Sequence, residues 1–424
     1  LVLVLALSVF VVACGGEEEP AETTAAPTET TAAPTETTAA PTETTAAPTE
    51  TTAPTSTEPI KIGMIISLTG VSSAPAESIK QAAEVEVKYI NDNGGINGRQ
   101  VELIIEDDKS DLTAGMAAVT KMIEQTKVDF LIGPYPQWTA TPAREISEKA
   151  GIPHIAFGPP TMDDLKADQT KFKSSVMAST GADGEADAWA KAIVAGGYKN
   201  VLAIGDQIPI HQEGLGLLAG GLAEQNGFKF TFMPDAWALD EADVTPIVNK
   251  IAAQVKAVNP DLLLIASNPI HVPALTKGLR GLGVTLPILG SGAGSHPAIF
   301  MQGPEAVVGN LSIGPGVVNP SALPDGYPAK EDLVAFVERF KAAYPDAMAS
   351  LFLGFGYDVI HLAEAALKAG GDDPAAVAAA LRSLQWDGAQ GSYKYTADDA
   401  NGIHGGFCLW EATAEGFKFV STLN

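Results

Sequence analysis

The chain has few residues that can cross-link it and few that can carry positive charge. Two cysteines, Cys14 and Cys408, stand in 424 residues, too few for a disulfide framework. Lys and Arg number 26 against 51 Asp and Glu, giving a net charge of −25. That balance argues against nucleic acid and against adsorption to an anionic lipid surface. No apolar run reaches the ~18 residues of a membrane-spanning helix. Catalytic signatures are missing too. Gly290-Ser291-Gly292-Ala293-Gly294 puts glycine where a nucleophile elbow needs serine. There is no H-E-x-x-H and no Walker loop, and Gly214-Leu215-Gly216 lacks the spacing of a dinucleotide loop. His361 and Glu364 stand at i, i+3 with no third metal ligand in view. Glu106-Asp107-Asp108 and Asp111 read as strand-end acids and a helix cap rather than a cation site. No enzyme, metal or cofactor is expected.

What is present first is a secretion signal. Residues 1–13 read LVLVLALSVFVVA, too short to span a ~30 Å hydrocarbon core but long enough for a signal-peptide core. The basic start of that signal is expected to precede this sequence. Val11-Val12-Ala13-Cys14 resembles a bacterial lipobox, which implies cleavage before Cys14 and lipid on its thiol. Residues 14–59 then form a spacer in which Thr-Glu-Thr-Thr-Ala-Ala-Pro recurs from Thr28, Thr35 and Thr42. With nothing larger than Ala or Thr to bury, the segment is expected to stay disordered. In polyproline geometry residues 17–59 reach at most ~130 Å. Nine glutamates and no basic residue lie in 17–58, which leaves about −16 on the head. Cys408, once Cys14 is acylated, has no partner and is expected as a small buried residue in a strand.

From Ile60 onward, apolar β-branched runs alternate with helical spacing. Strands are expected at 60–67, 101–107, 128–133 and 152–157, and again at 201–206, 228–233, 261–267 and 287–290. Helices of ten to sixteen residues separate most of them, with Asp111 a plausible N-cap. Two such series predict an α/β head of two doubly wound parallel-sheet lobes. Ligands of such sheets sit beyond the carboxyl ends of the strands.

Several of those strand ends are familiar. Ile62-Gly63 with Ser67-Leu68-Thr69-Gly70 resembles the opening of the branched-chain amino acid (Leu/Ile/Val) binding proteins. So do Asn91-Asp92-Asn93-Gly94-Gly95-Ile96-Asn97-Gly98-Arg99, Glu106-Asp107-Asp108, Leu131-Ile132-Gly133 and Gly151-Ile152-Pro153. The resemblance covers 60 to about 420. It implies a type I periplasmic-binding-protein fold whose lobes are joined by three crossovers and close on a ligand by hinge bending. The lobes are expected at 60–178 with 314–395, and at 179–313 with 396–424. The implied activity is capture of a small solute for an ABC transporter permease, with the membrane contacted only through the lipid anchor and the head monomeric. The alternative is a sensor presenting its solute to a membrane receptor or kinase.

The resemblance also implies the pocket. Ser72 lies just past the opening loop. Tyr135, Gln137, Trp138 and Thr139 follow the third strand at a helix start, where free N–H groups suit an anion. Gly158, Pro160 and Thr161 follow the fourth strand, with Pro160 and Thr161 competing for the place of one family threonine. His211 falls near a family tyrosine, and Asn268 near an aromatic lining residue. Phe355, Gly356 and Tyr357 lie either along the cleft or in the core. Ser291-Gly292 stands where amino-acid binders usually place a glutamate for the α-ammonium. A buried ammonium without a carboxylate is costly. Unless Glu213 or another acid reaches in, a less charged or purely anionic ligand is expected.

Overall fold

The computed structural model describes residues 57–403 and 405–423. Cys14, the signal segment and the spacer up to residue 56 lie outside the described residues, as does the side chain of Gln137.

The hydrophobic runs form two sheets. The first consists of β1 (Ile60–Ile66), β2 (Val101–Asp107), β3 (Phe130–Ile132), β4 (His154–Ala156) and β5 (Ser175–Met177), in the order β2-β1-β3-β4-β5. Every pairing in it is parallel. The second contains β6 (Asn200–Gly205), β7 (Lys229–Phe232), β8 (Leu262–Ala266), β9 (Ile288–Gly290) and β10 (Leu311–Gly314). Apart from β11 (Gln385–Asp387) and β12 (Ser392–Lys394), which pair with each other, the remaining strands are β13 (Cys408–Thr413) and β14 (Gly416–Thr422). The second sheet runs β14-β13-β10-β9-β8-β6-β7. It departs from the all-parallel expectation at one edge, where β13 and β14 add antiparallel. The expected strands come through, most with their ends trimmed, while β2 keeps its expected bounds and β6 starts one residue earlier. The helix Ala182–Ala195 lies in a stretch where the strand-and-helix reading placed no element.

Both sheets carry helices, as parallel strands with apolar residues on both faces require. Helices Ser73–Asp92 and Leu351–Gly370 pack together over the first sheet. Their approach depends on Gly356: a Cβ there would stand 2.2 Å from the Ile79 carbonyl oxygen. Gly356 therefore serves helix packing and not the cleft. Asp111 caps the helix Leu112–Lys121 by accepting from the Ala114 N–H, as its position predicted. Cys408 is free and fully buried in β13. Among the described residues no helix is long and apolar enough to cross a membrane.

In each parallel series the strand order reverses once, between β1 and β3 and between β6 and β8. Loops leaving the carboxyl ends at such a reversal diverge to opposite faces and open a crevice between them. Ser72, Tyr135, Trp138, His211 and Asn268 follow those strands, Gly158, Pro160 and Thr161 follow β4, Ser291 follows β9, and Tyr357 lies in the helix Leu351–Gly370.

Candidate functional site

On the first sheet the site is aromatic. Tyr135 leaves the end of β3 half-buried, with its ring 5.6 Å from Phe157 at the end of β4. Phe157 in turn lies 6.5 Å from Phe355. Tyr357, two residues further along the same helix, points elsewhere. It is buried among Phe336, His361 and Trp386, with the Phe336 centroid 4.7 Å away. The helical period explains the swap, since positions two apart face different sides. Phe352, one turn before Phe355, reaches His296 from the second sheet's loops at 5.6 Å.

Other expected residues on this side are committed to the scaffold. Thr139 is fully buried, and its hydroxyl and N–H both donate to the Pro136 carbonyl, so it has no free donor for a ligand. Thr161 is the N-cap of the short helix Met162–Lys166. Its hydroxyl donates to Asp164 and accepts from the Asp164 N–H in a capping box. Thr161 is thus held as a helix cap, and Pro160 is placed differently. Pro160 is buried and stands against Gly181, where its Cγ lies 3.2 Å from where a Cβ would be. Gly158 is buried beside it. Trp138 remains 47% exposed and is available to whatever approaches. Ser72 is half-buried; its N–H donates to Ser110 Oγ at 3.1 Å, and its hydroxyl caps nothing.

The second sheet contributes charge. Asp206, at the end of β6, is fully buried and organises its surroundings with both oxygens. Oδ1 accepts from His211 Nδ1 at 2.7 Å and from the Ile208 N–H at 3.1 Å, and Oδ2 accepts from the Asn268 N–H at 2.6 Å. Asn268, beyond β8, is thereby held by its backbone, while its side-chain oxygen accepts from the Ile270 N–H. Ser291, fully buried beyond β9, donates to the Ser267 carbonyl at 3.4 Å. His211, Asn268 and Ser291 thus come together at the reversal of the second sheet. Burial pushes the His211 imidazolium towards losing its proton. The hydrogen bond and charge of Asp206, with Glu185 adding to them, overcome this and raise its pKa.

Glu185 was not expected. It comes from the helix Ala182–Ala195 and is buried. Its Oε1 accepts from the Gly292 N–H at 3.1 Å. One turn on, Trp189 donates its indole N–H to the Gly290 carbonyl at 3.2 Å. Positions i and i+4 share a helix face, so the two contacts pin that face along the end of β9. Burial raises the Glu185 pKa, with His211 and the Gly292 N–H opposing. The absence of an acid inferred from Gly292 is therefore corrected: an acid reaches the same loop from another element. Glu213, the acid considered for that role, is instead half-buried near the start of the Met162–Lys166 helix, accepting from the Met162 backbone.

Neither metal reading gains support. His361 has a carboxylate on each ring nitrogen, Glu364 on Nδ1 and Glu86 on Nε2, both at 2.8 Å. Asp107 and Asp108 accept from the Thr69 and Ser67 side chains and the neighbouring backbone. Among the described residues no group of three such side chains is placed to hold a metal.

A two-lobed α/β fold of mostly parallel sheets, with loops converging beyond the strand ends, is the architecture of a solute-binding protein. The model of the family described as periplasmic binding protein matches residues 59–410, and the chain belongs to that family. It is 24% identical over 338 residues to the Leu/Ile/Val-binding protein BraC3 of Rhizobium johnstonii, covering 78% of this chain and 85% of that one. An amino acid binding protein of Pseudomonas aeruginosa is 26% identical, over 76% and 82% of the two chains. An extracellular ligand-binding receptor from Rhodopseudomonas palustris superposes with a TM-score of 0.72 at 25% identity, over 85% of this chain and 99% of its own. The solute-binding protein of an R. palustris ABC transporter, solved with benzoate, gives 0.68 at 20% identity, over 86% and 96%.

Proposed function

We propose that this chain is the solute-capturing component of an ABC importer, held outside the cytoplasm by lipid on Cys14. The observation that carries this is the pairing of an aromatic wall with a polar one. Tyr135 and Phe355, backed by the fully buried Phe157, stand on the first sheet's side, and Asp206, His211, Asn268 and Ser291 on the second's. An apolar surface with a few fixed polar groups is the usual make-up of a small-molecule site. The two walls touch at their rim, through His296 against Phe352 and Glu213 against the Met162 backbone. The lobes are assigned to 60–178 with 314–395, and 179–313 with 396–424, so that three crossings form the hinge. The solute class is an amino acid, an aromatic or short-chain acid, or an amide. The names of the relatives support that range, which runs from Leu/Ile/Val to benzoate.

A thermal-shift panel of amino acids, aromatic and short-chain acids and amides tests the capture. A ligand at 100 times its Kd adds ~2.7 kcal/mol of apparent stability, which shows as a clear rise in melting temperature. A panel with no hit contradicts this solute range. The anchor is tested separately: the wild type incorporates labelled palmitate and Cys14→Ser does not. Label retained by Cys14→Ser sinks the anchor.

A further inference from the structure

Glu185 carries a signal that its contacts do not use up. The side chain is 5% exposed. Oε1 has the Gly292 N–H, but Oε2 is buried with no hydrogen-bond partner in the protein. Leaving a carboxylate oxygen buried and unpaired is expensive, and most buried polar atoms avoid it. Nothing about the helix forces the arrangement. The first turn of Ala182–Ala195 also holds Asp183, which is exposed and carries acidic charge near the helix N-terminus at little cost.

The place matters as much as the orphan oxygen. The loop at Gly292 leaves the carboxyl end of β9 beside the β8 loop, to which Ser291 is bonded. The helix begins at Gly181, against Pro160 and Leu165 from the other sheet. Glu185, one turn in, sits where the two sets of loops meet, within electrostatic reach of His211 and Asp206. His211 is taken up at Nδ1 by Asp206, and both oxygens of the Asp206 carboxylate accept from protein donors. A hydrogen-bond donor arriving in the cleft therefore finds one unclaimed carboxylate oxygen in this cluster.

We propose that Glu185 Oε2 is the acceptor for a positively charged amine on the captured solute, so that the site takes an amine-bearing acid in preference to its deaminated counterpart. The assignment rests on the solute-capture reading and narrows it. The amine meets Glu185, and the apolar body of the solute lies against the partly buried rings of Tyr135 and Phe355. An anionic solute without a donor leaves Oε2 unpaired when the lobes close and places a second negative charge beside it. A lone ammonium without this carboxylate would be costly to bury in the same place.

The test compares pairs that differ only in the amine. L-Leucine is titrated against 4-methylpentanoate, and L-phenylalanine against 3-phenylpropanoate, on the full chain and on Glu185→Gln, with benzoate as a purely anionic control. The expected result is at least 30-fold tighter binding of one amine-bearing member over its partner. Glu185→Gln is expected to close that gap by weakening the amine-bearing member while changing the deaminated one by less than threefold. The glutamine keeps the acceptor for the Gly292 N–H, so the fold is retained, and equal melting temperatures of the two proteins check it. If 4-methylpentanoate, 3-phenylpropanoate or benzoate binds as tightly as or tighter than the amine-bearing acids, and Glu185→Gln changes nothing, the role of Glu185 is overturned while solute capture stands. If none of the five probes binds, the assignment is overturned for acids of this size. Solute capture then stands or falls with the wider thermal-shift panel.

Discussion

His211 Nδ1 lies 2.7 Å from Asp206 Oδ1, with both side chains almost wholly removed from water. The pair joins the start of a helix to the end of β6, and Asp206 then reaches across to the backbone of Asn268 beyond β8. The wall of the cleft therefore has an ion pair as its keystone. Removing one member of such a buried pair strands the other.

The pH dependence follows from the raised pKa of His211. A group whose folded value lies above its unfolded value contributes stability that is complete below the unfolded value, about 6.5 for histidine. The contribution fades as pH rises through the folded value. His211→Gln is expected to show its largest loss of melting temperature at or below about pH 6.5. The difference from wild type should narrow at more alkaline pH. A difference that widens with pH contradicts the pairing. Asp206→Asn should cost ~3–5 kcal/mol at neutral pH, measured by urea denaturation, because it leaves a buried imidazolium unpaired.

Two aromatic residues that look alike in the sequence should behave oppositely. Tyr357 is buried against Phe336 and Trp386, so Tyr357→Ala should cost about 3–5 kcal/mol in denaturant titrations. Trp138 is 47% exposed at the start of its helix, so Trp138→Ala should stay within ~0.5 kcal/mol of wild type. Its effect is expected in solute affinity. An unchanged Kd removes Trp138 from the binding surface.

The difference between these residues shows where sequence reading reached and where it stopped. Alternation of apolar runs and helical spacing located β1 to β4 and β6 to β9, because period and β-branching are local properties. Asp111 was read correctly as a helix cap from the same local logic, whereas the turn bonds that Asp107 and Asp108 accept were not foreseen. The side chains that meet in the cleft were another matter. Which face of the Leu351–Gly370 helix turns inward depends on Gly356 meeting Ile79, a contact made across more than two hundred residues. Glu185 was hidden because Ala-Asp-Gly-Glu-Ala-Asp-Ala reads as a polar, small-residue stretch and the helix itself was not expected. The one local clue was Trp189, a large ring four residues later on the same face. The antiparallel edge was half visible: β13 was expected around Cys408, but its direction is set by β10, about a hundred residues earlier.

Cys408 supplies a test of burial that needs no ligand. The thiol is fully buried, and burial pushes its pKa up to about 11. Thiolate, not thiol, is the reactive form. In Cys14→Ser, where it is the remaining cysteine, a disulfide-exchange reagent should find no reactive thiol at neutral pH. One equivalent should appear in denaturant. Rapid reaction of the native protein contradicts the placement of β13 inside the second sheet.

A second buried charge cluster stands on the helices over the first sheet. Glu86, fully buried, accepts from Arg339 Nη2 at 2.8 Å and from His361 Nε2 at 2.8 Å. Glu364 takes the other ring nitrogen at 2.8 Å. Both nitrogens must donate for these contacts to coexist, so the imidazolium is the form that fits. Burial alone would lower its pKa, but the hydrogen bonds and charges of Glu364 and Glu86 raise it to about 9. The stabilisation from His361 should therefore be complete below about pH 6.5 and fade as pH rises through about 9. Glu364 has the opposite sign: its lowered pKa gives a contribution that is lost as pH falls through its folded value. Urea midpoints taken on either side of pH 9 should show wild type losing stability on the alkaline side and His361→Gln losing much less. Glu86→Gln should cost ~3–5 kcal/mol below that window, since it strips Arg339 and His361 of their shared partner. Equal alkaline losses in wild type and His361→Gln would remove the imidazolium from the account.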